Sequence, residues 1–192
     1  RVADPRIQPS KQVLQSAIAK LKDAKKPVII VGHGARFDMD AITQLAERLG
    51  APMLTTFKGK GLISDHHPLG CGVLGRSGTP IASYFMNEAD LLLVFGASFS
   101  NHTGITSKIP TVQVDFDRLA LAKFHEIEFP IWAELGETAR LMLEQIGKVP
   151  INAEDRRKEV ANRWDIWKKE KAKRLTEDRG KGVSSVAVFE AM

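Results

Sequence analysis

The sequence predicts a three-layer α/β/α domain built on a doubly wound parallel sheet, and three observations predict it. Apolar β-formers run together at Pro27-Val28-Ile29-Ile30-Val31 and at Leu91-Leu92-Leu93-Val94-Phe95. Runs without polar alternation suit strands covered on both faces. The first run leads into Gly32-His33-Gly34-Ala35, and Thr55-Thr56-Phe57-Lys58 leads into Gly59-Lys60-Gly61, glycine-bearing loops whose backbone can turn sharply and approach an anion. Between the strand-like runs lie stretches with helical apolar spacing, and repeated strand-helix alternation is the pattern of a parallel sheet.

The first helix is expected from Ser10, a capping residue type, to about Ala24, because Val13, Leu14, Ala17, Ile18 and Leu21 recur at helical spacing. The strand Pro27 to Val31 follows. Asp38 or Asp40 can cap a second helix carrying Ile42, Leu45, Ala46 and Leu49, which Gly50 ends before a strand from Pro52 to Thr55. From Phe57 to Ser77 the chain is rich in Gly, His, Asp and Pro and reads largely as loop. Thr79 to Glu88 reads as helix, Asp90 to Phe95 and Thr111 to Val114 as strands, Glu126 to Phe129 as a short strand, and Ala133 to Ile146 as helix. Leu119 to His125 stays undecided. Beyond Pro150 one long polar helix is expected, about Ala153 to Glu177, with Val160, Trp164, Trp167 and Leu175 as its apolar side, until Gly180-Lys181-Gly182 breaks it. This divides the chain into a linker (1–9), a central domain (10–147) and a helical connector (148–192) extending away from that domain.

A chain of 192 residues can bury one complete core. Its 43% hydrophobic and 27% charged residues are ordinary for a soluble globular protein, and no apolar run approaches the roughly 20 residues of a membrane span. No membrane partner is expected. Cys71 is the one cysteine, so an internal disulfide is ruled out and a cytoplasmic location is the default. The net charge of +5 is concentrated, since residues 151–181 hold 11 Lys and Arg against 7 Asp and Glu. Acids interspersed with bases fit a solvated helix face, and no nucleic-acid-binding pattern accompanies them, so nucleic acid is not an expected partner. The chain opens at Arg1 and stops at Met192 inside an apolar stretch, which reads as a piece of a longer protein.

Ligands of doubly wound sheets lie against the carboxyl ends of the strands, which nominates the residues found there. Gly32, His33 and Gly34 follow the first strand, and the amides of that loop can hold a diphosphate; a tight turn without a ligand is the plain alternative. His33 can donate to a phosphate or obstruct it. Thr55 and Thr56 end the second strand within reach of a ribose or a flavin edge, and Lys60 beyond them either neutralises phosphate or packs its stem along the loop. Asp115 and Asp117 follow a later strand, where an acid accepts from ribose hydroxyls or caps the next turn. The loop is not the usual dinucleotide fingerprint, because Phe37 stands where the third glycine would fall. His66-His67 lack further ligands at useful spacing, so no metal is expected; Cys71 reads as a buried small hydrophobe, and Trp164 with Trp167 as a packing pair.

Taken in order, the motifs are Gly32-His33-Gly34-Ala35, Thr55-Thr56 with Gly59-Lys60-Gly61, His67-Pro68-Leu69, Leu74-Gly75-Arg76-Ser77-Gly78-Thr79, Ala89 to Gly96, and Val114-Asp115-Phe116-Asp117. Over roughly residues 9–147 this series resembles the central, Rossmann-like domain of thiamine-diphosphate-dependent enzymes of the acetolactate synthase and pyruvate oxidase group. The resemblance implies that Gly75, Arg76 and Ser77 line the ligand cleft at a helix N-terminus, with helix capping the alternative for Ser77, and that Gly96 and Ser98 face the same ligand. It implies a homo-oligomeric parent, a 2-oxoacid decarboxylase or carboligase, whose thiamine diphosphate and magnesium are held by domains before and after this one. The activating glutamate and the Gly-Asp-Gly element with its downstream Asn-Asn belong to those domains, so this chain is expected to contain no catalytic residue and to be inactive alone.

Within the domain itself the resemblance implies ADP or FAD. Flavin-binding members carry Gly, a further residue and then Arg-Phe-Asp after the fourth strand, whereas Gly96-Ala97-Ser98-Phe99-Ser100 puts Ser in place of both the Arg and the Asp. Ala133-Glu134 stands at the family's later Gly-Asp step. A charge-assisted contact of about 1.5–3 kcal/mol is thereby lost, so FAD is expected to bind no better than ADP. The alternative reading is a non-enzymatic scaffold domain with an empty cleft.

Overall fold

Neighbouring residues of a strand point to opposite faces, so an unbroken apolar run demands cover on both sides. The structure, a computed structural model describing residues 6–147, 149–176, 180 and 182–191, meets that demand with a six-stranded parallel sheet. Its strands are β1 (Pro27–Val31), β2 (Met53–Thr55), β3 (Gly70–Val73), β4 (Leu91–Phe95), β5 (Thr111–Asp115) and β6 (Phe129–Trp132), in the order β3-β2-β1-β4-β5-β6. The helices are α1 (Lys11–Asp23), α2 (Met39–Leu49), α3 (Pro80–Asn87), α4 (Leu135–Ile146), α5 (Arg157–Thr176) and α6 (Ser185–Glu190). Ile29 and Val31 of β1 join a core with α1, α2 and α4, while Val28 and Ile30 join a second core with α3 and the start of α5. Each such side chain, buried fully, contributes about 1.5–3 kcal/mol. The doubly wound α/β/α class expected from the sequence is the observed one.

From β1 the sheet grows outward to β2 and β3 on one side and to β4, β5 and β6 on the other. The loops that follow β1 and β4 therefore leave in opposite directions, and a crevice opens between them at the carboxyl ends of the strands. Ser10 and Asp38 occupy the N-cap positions of α1 and α2, though neither side chain makes a capping bond. Gly50 ends α2 in the left-handed region at φ 62°, where glycine carries no Cβ penalty. Thr79, not Ser77, caps α3, its Oγ1 accepting from the Ala82 amide at 3.2 Å.

Three other expectations are corrected. The stretch assigned to loop contains β3, whose Gly-Cys-Gly-Val sequence has Val73 as its one strong β-former and pairs with β2 through a register shift at the sheet edge. The strand expected at Glu126 to Phe129 begins only at Phe129, with Pro130 tolerated because β6 is the other edge. The polar helix starts at Arg157, and its first half packs onto the domain in place of extending away from it. Val160 is buried in the second core, and the Trp164 indole donates to the Gly70 carbonyl at 2.8 Å. Tyr84 of α3 donates to Glu159 at 2.7 Å, and the buried Arg156 guanidinium donates to the same carboxylate while lying 5.0 Å from the Phe85 ring. Hydrogen bonds from Arg156 and Tyr84 hold the Glu159 carboxyl below its ordinary range. Trp167 packs beside Trp164 as an edge-to-face pair, whereas Leu175 is exposed. The expected helix end at Glu177 lies outside the described residues. No helix among the described residues is long and apolar enough to cross a membrane.

Candidate functional site

The crevice at the carboxyl ends of the strands is a cleft of about 780 Å³ lined by His33, Thr56, Phe57, Lys58, Arg76, Ser77, Gly96, Ser98, Ser100, His102 and Thr103. Each strand near the reversal contributes through the loop that follows it. His33 comes after β1, Thr56 to Lys58 after β2, Arg76 and Ser77 after β3, and the remainder after β4. No Asp or Glu is among the lining residues, which include two permanent cations and two imidazoles. Lys58 and Arg76 are exposed and have no ion-pair partner among the described residues. A cleft with this lining attracts anions.

Six of the twelve residues nominated from sequence line the cleft, namely His33, Thr56, Arg76, Ser77, Gly96 and Ser98. The other six sit behind it or beside it. Gly32 and Gly34 form its floor by close approach to the loop after β4, since a Cβ on Gly32 would lie 2.2 Å from the Gly96 carbonyl oxygen. Their amides donate to Phe95 at 2.9 Å and Gly96 at 3.0 Å, and those of Ala35 and Arg36 donate to Gly32 and His33. Only the His33 amide of this loop is left over among the described residues. Of the loop amides expected to face a diphosphate, those of Gly32 and Gly34 thus tie this loop to the end of β4 and the loop after it, and those of Ala35 and Arg36 close the turn itself. Thr55 is buried, with its hydroxyl donating to the Gly72 carbonyl at 3.4 Å, and Gly75 packs against the His102 carbonyl.

Asp115 and Asp117 shape the turn after β5. Asp115 accepts from the Asp117 amide and Asp117 accepts from the Leu119 amide, each at 2.9 Å. Burial pushes the Asp115 carboxyl above its ordinary range. Lys60 pairs with Asp65 at 4.0 Å and lies outside the lining. The sequence reading missed Phe57, Lys58, Ser100, His102 and Thr103. Lys58 and Phe57 stand beside the motif that was read, and the hydroxyl-rich segment Ser100-Asn101-His102-Thr103 was the available signal for the rest. Burial raises the Cys71 thiol pKa far beyond its ordinary value, in keeping with an inert packing residue.

A sequence profile described as thiamine pyrophosphate enzyme, central domain, matches residues 14–142. The chain belongs to this family. Among its relatives, a Bacillus subtilis protein described as thiamine pyrophosphate-containing is 31% identical over 151 residues, covering 79% of this chain and 26% of the relative. The large subunit of acetolactate synthase isozyme 1 from Escherichia coli is 30% identical over 146 residues, covering 73% of this chain and 26% of that one. The central domain therefore spans about a quarter of the length of the curated relatives it matches. A crystal structure of a protein from Mycobacterium smegmatis, described as thiamin diphosphate-dependent, superposes with a TM-score of 0.63 at 20% identity, over 75% of this chain and 29% of that one. That likeness bears on the fold. Among the described residues of the central domain, no three of His, Cys, Asp and Glu lie close enough together to hold a metal ion. The acid-free lining of the cleft, with Lys58, Arg76, His33 and His102, suits an anionic group.

Proposed function

We propose that this chain is the central domain of a thiamine-diphosphate-dependent 2-oxoacid decarboxylase or carboligase of the acetolactate synthase type, and that its cleft binds the ADP part of a nucleotide. The observation that carries the binding is the acid-free cleft at the strand-order reversal, with Lys58, Arg76, His33 and His102 in its wall. Ser77, Ser98, Ser100 and Thr103 offer hydroxyls to phosphate or ribose oxygens. The reaction itself is carried in this reading by domains on either side, within a homo-oligomeric parent, and the chain alone does not turn over 2-oxoacids. Exposed Phe37, Phe116, Leu119 and Trp132, each in or after a strand end, support contact of this rim with such domains.

A second reading is favoured by one feature: the amides of Gly32 and Gly34 are already bonded, as in a domain whose cleft stays empty and which only spaces its neighbours. Calorimetric titration of the chain with ADP separates the two. Saturable one-site binding that is lost in Ser77→Trp, which fills the cleft from an exposed position, supports the nucleotide reading. Undiminished binding in that variant places the nucleotide elsewhere, and no binding at all leaves the spacer.

A further inference from the structure

We propose that a second pocket, at the amino ends of β5 and β6, binds a small zwitterion of the amino-acid class, with Lys108 taking its carboxylate and Glu126 and Glu128 its ammonium. The pocket lies at the end of the sheet opposite to the cleft and stands independently of the nucleotide reading. Residues 107–110 lead into β5 and residues 125–128 lead into β6, its neighbour in the sheet, and the two segments line a pocket of about 340 Å³. Both walls are anchored. On the first, the Pro110 carbonyl accepts from the Leu92 amide of β4 at 2.9 Å, the Thr111 hydroxyl donates to the Ile109 carbonyl at 2.9 Å, and the Lys108 amide donates to the Thr106 hydroxyl at 3.2 Å. On the second, Ile127 is buried in the second core while its neighbours Glu126 and Glu128 stay exposed, and Phe129 pairs with Val112 in the sheet. Charges carried on such fixed segments lose less freedom when a ligand arrives.

The pocket holds both signs of charge and leaves both unengaged. Lys108 on one wall and Glu126 and Glu128 on the other make no ion pair with each other or with any other described residue, although all three line the same space. The contrast with the groove between residues 65–68 and α5 is informative. That groove also carries both signs, but there Lys60 engages Asp65, Glu47 engages His67 and Asp155 engages Arg157. Opposite charges that share a pocket without meeting are complementary to a molecule that carries the reversed pair, and a purely cationic or anionic ligand leaves one wall facing its own sign. His125 adds a further polar group to the lining: its ring packs edge-to-face on Phe99 with centroids 5.0 Å apart, and its Nε2 is buried without a hydrogen-bond partner among the described residues. Such an atom is exceptional in a folded protein, and a ligand with both ammonium and carboxylate can supply a donor or an acceptor according to the tautomer. The Ser107 hydroxyl stands beside Lys108 as a second group for the carboxylate, and Ile109 and Pro110 give apolar surface for a short side chain.

The test is titration of the isotope-labelled chain at neutral pH and fixed ionic strength with L-alanine, 4-aminobutyrate, ethylamine and propionate, followed by amide NMR shifts. At least one zwitterion is expected to shift the amides of residues 107–111 and 125–128 saturably, and to bind about tenfold or more tighter than either singly charged probe, as one added charge-assisted contact gives. The tighter of the two zwitterions reports the separation of the charges. In Lys108→Gln the preferred zwitterion should bind severalfold more weakly while ethylamine is unaffected or improves, and in Glu126→Gln with Glu128→Gln it should again weaken while propionate is unaffected or improves. All three positions are exposed, so the variants are expected to keep the wild-type fold by circular dichroism. Ethylamine or propionate binding as tightly as both zwitterions overturns the proposal, as does the absence of saturable shifts with all four probes. Saturable shifts confined to other residues, or a zwitterion affinity unchanged in both variants, overturn the assignment to this pocket.

Discussion

Replacing Gly32 by Ala tests whether the cleft floor is as tightly locked as the geometry requires. Gly32 has φ −105° and ψ −177°, extended backbone that alanine adopts freely, so any cost is steric. The added Cβ would sit 2.2 Å from the Gly96 oxygen, 2.4 Å from the Ala97 Cα and 2.8 Å from the Ala97 Cβ. Two of these atoms belong to backbone and cannot rotate aside. Relief requires moving the loop after β4 by about 1 Å, and overpacking of this kind costs about 1–3 kcal/mol. The shift also strains the 2.9 Å bond from the Gly32 amide to Phe95, worth about 1 kcal/mol. A total of about 2–4 kcal/mol lowers the urea midpoint by about 1–2 M at a typical slope of about 2 kcal/mol per M. Gly61→Ala is the control: its φ is 90° but nothing lies within 4 Å, so only the backbone penalty of about 1 kcal/mol applies. A Gly32→Ala midpoint no lower than that of Gly61→Ala would refute the locked-floor argument.

Four further outcomes are expected. Trp164→Phe removes the donor to the Gly70 carbonyl and should cost about 1–3 kcal/mol by denaturant unfolding, since that acceptor loses its partner. Asp115→Asn should stabilise the chain at neutral pH: the folded carboxyl titrates above its unfolded value, so stability falls as pH rises through that interval, and melting curves of the two proteins should converge in acid. Glu159→Gln should act in the other direction, because a lowered folded pKa gives stability that is present above the ordinary carboxylate range and lost in acid; the variant's melting temperature should vary less with pH below that range. Ser98→Arg should raise affinity for FAD relative to ADP by about tenfold if it restores a charge-assisted contact, read by flavin fluorescence quenching against an ADP titration.

The parts of the fold that were legible in sequence are those where a single physical demand dominates. β1 and β4 are central strands buried on both faces, so five consecutive apolar residues declare each of them. Edge strands answer weaker demands. β3 is held by its register against β2 and by the Thr79 hydroxyl that donates to Cys71 at 2.6 Å, neither visible in Gly-Cys-Gly-Val. β6 carries a proline that argues against a strand until its edge position is known. In the cleft, residues next to a strand-end motif were found, whereas Ser100, His102 and Thr103 arrive through the long β4 to β5 connection, whose path only the folded chain reveals. The glycines at 32 and 34 were read as a turn that approaches a ligand; the folded chain brings another loop against them, and sequence alone does not separate these two demands for a small residue.

The clasp of α5 on the second core has a kinetic consequence. Its bonds join residues far apart along the chain, Tyr84 to Glu159 across 75 positions and Trp164 to Gly70 across 94. Contacts between such distant residues carry a large loop-closure cost and tend to form after the local β-α-β units have assembled. Interactions absent from the transition state change the unfolding rate and leave the folding rate almost untouched. Loosening the helix after Pro150 is therefore expected to shorten the lifetime of the native domain more than it slows its appearance.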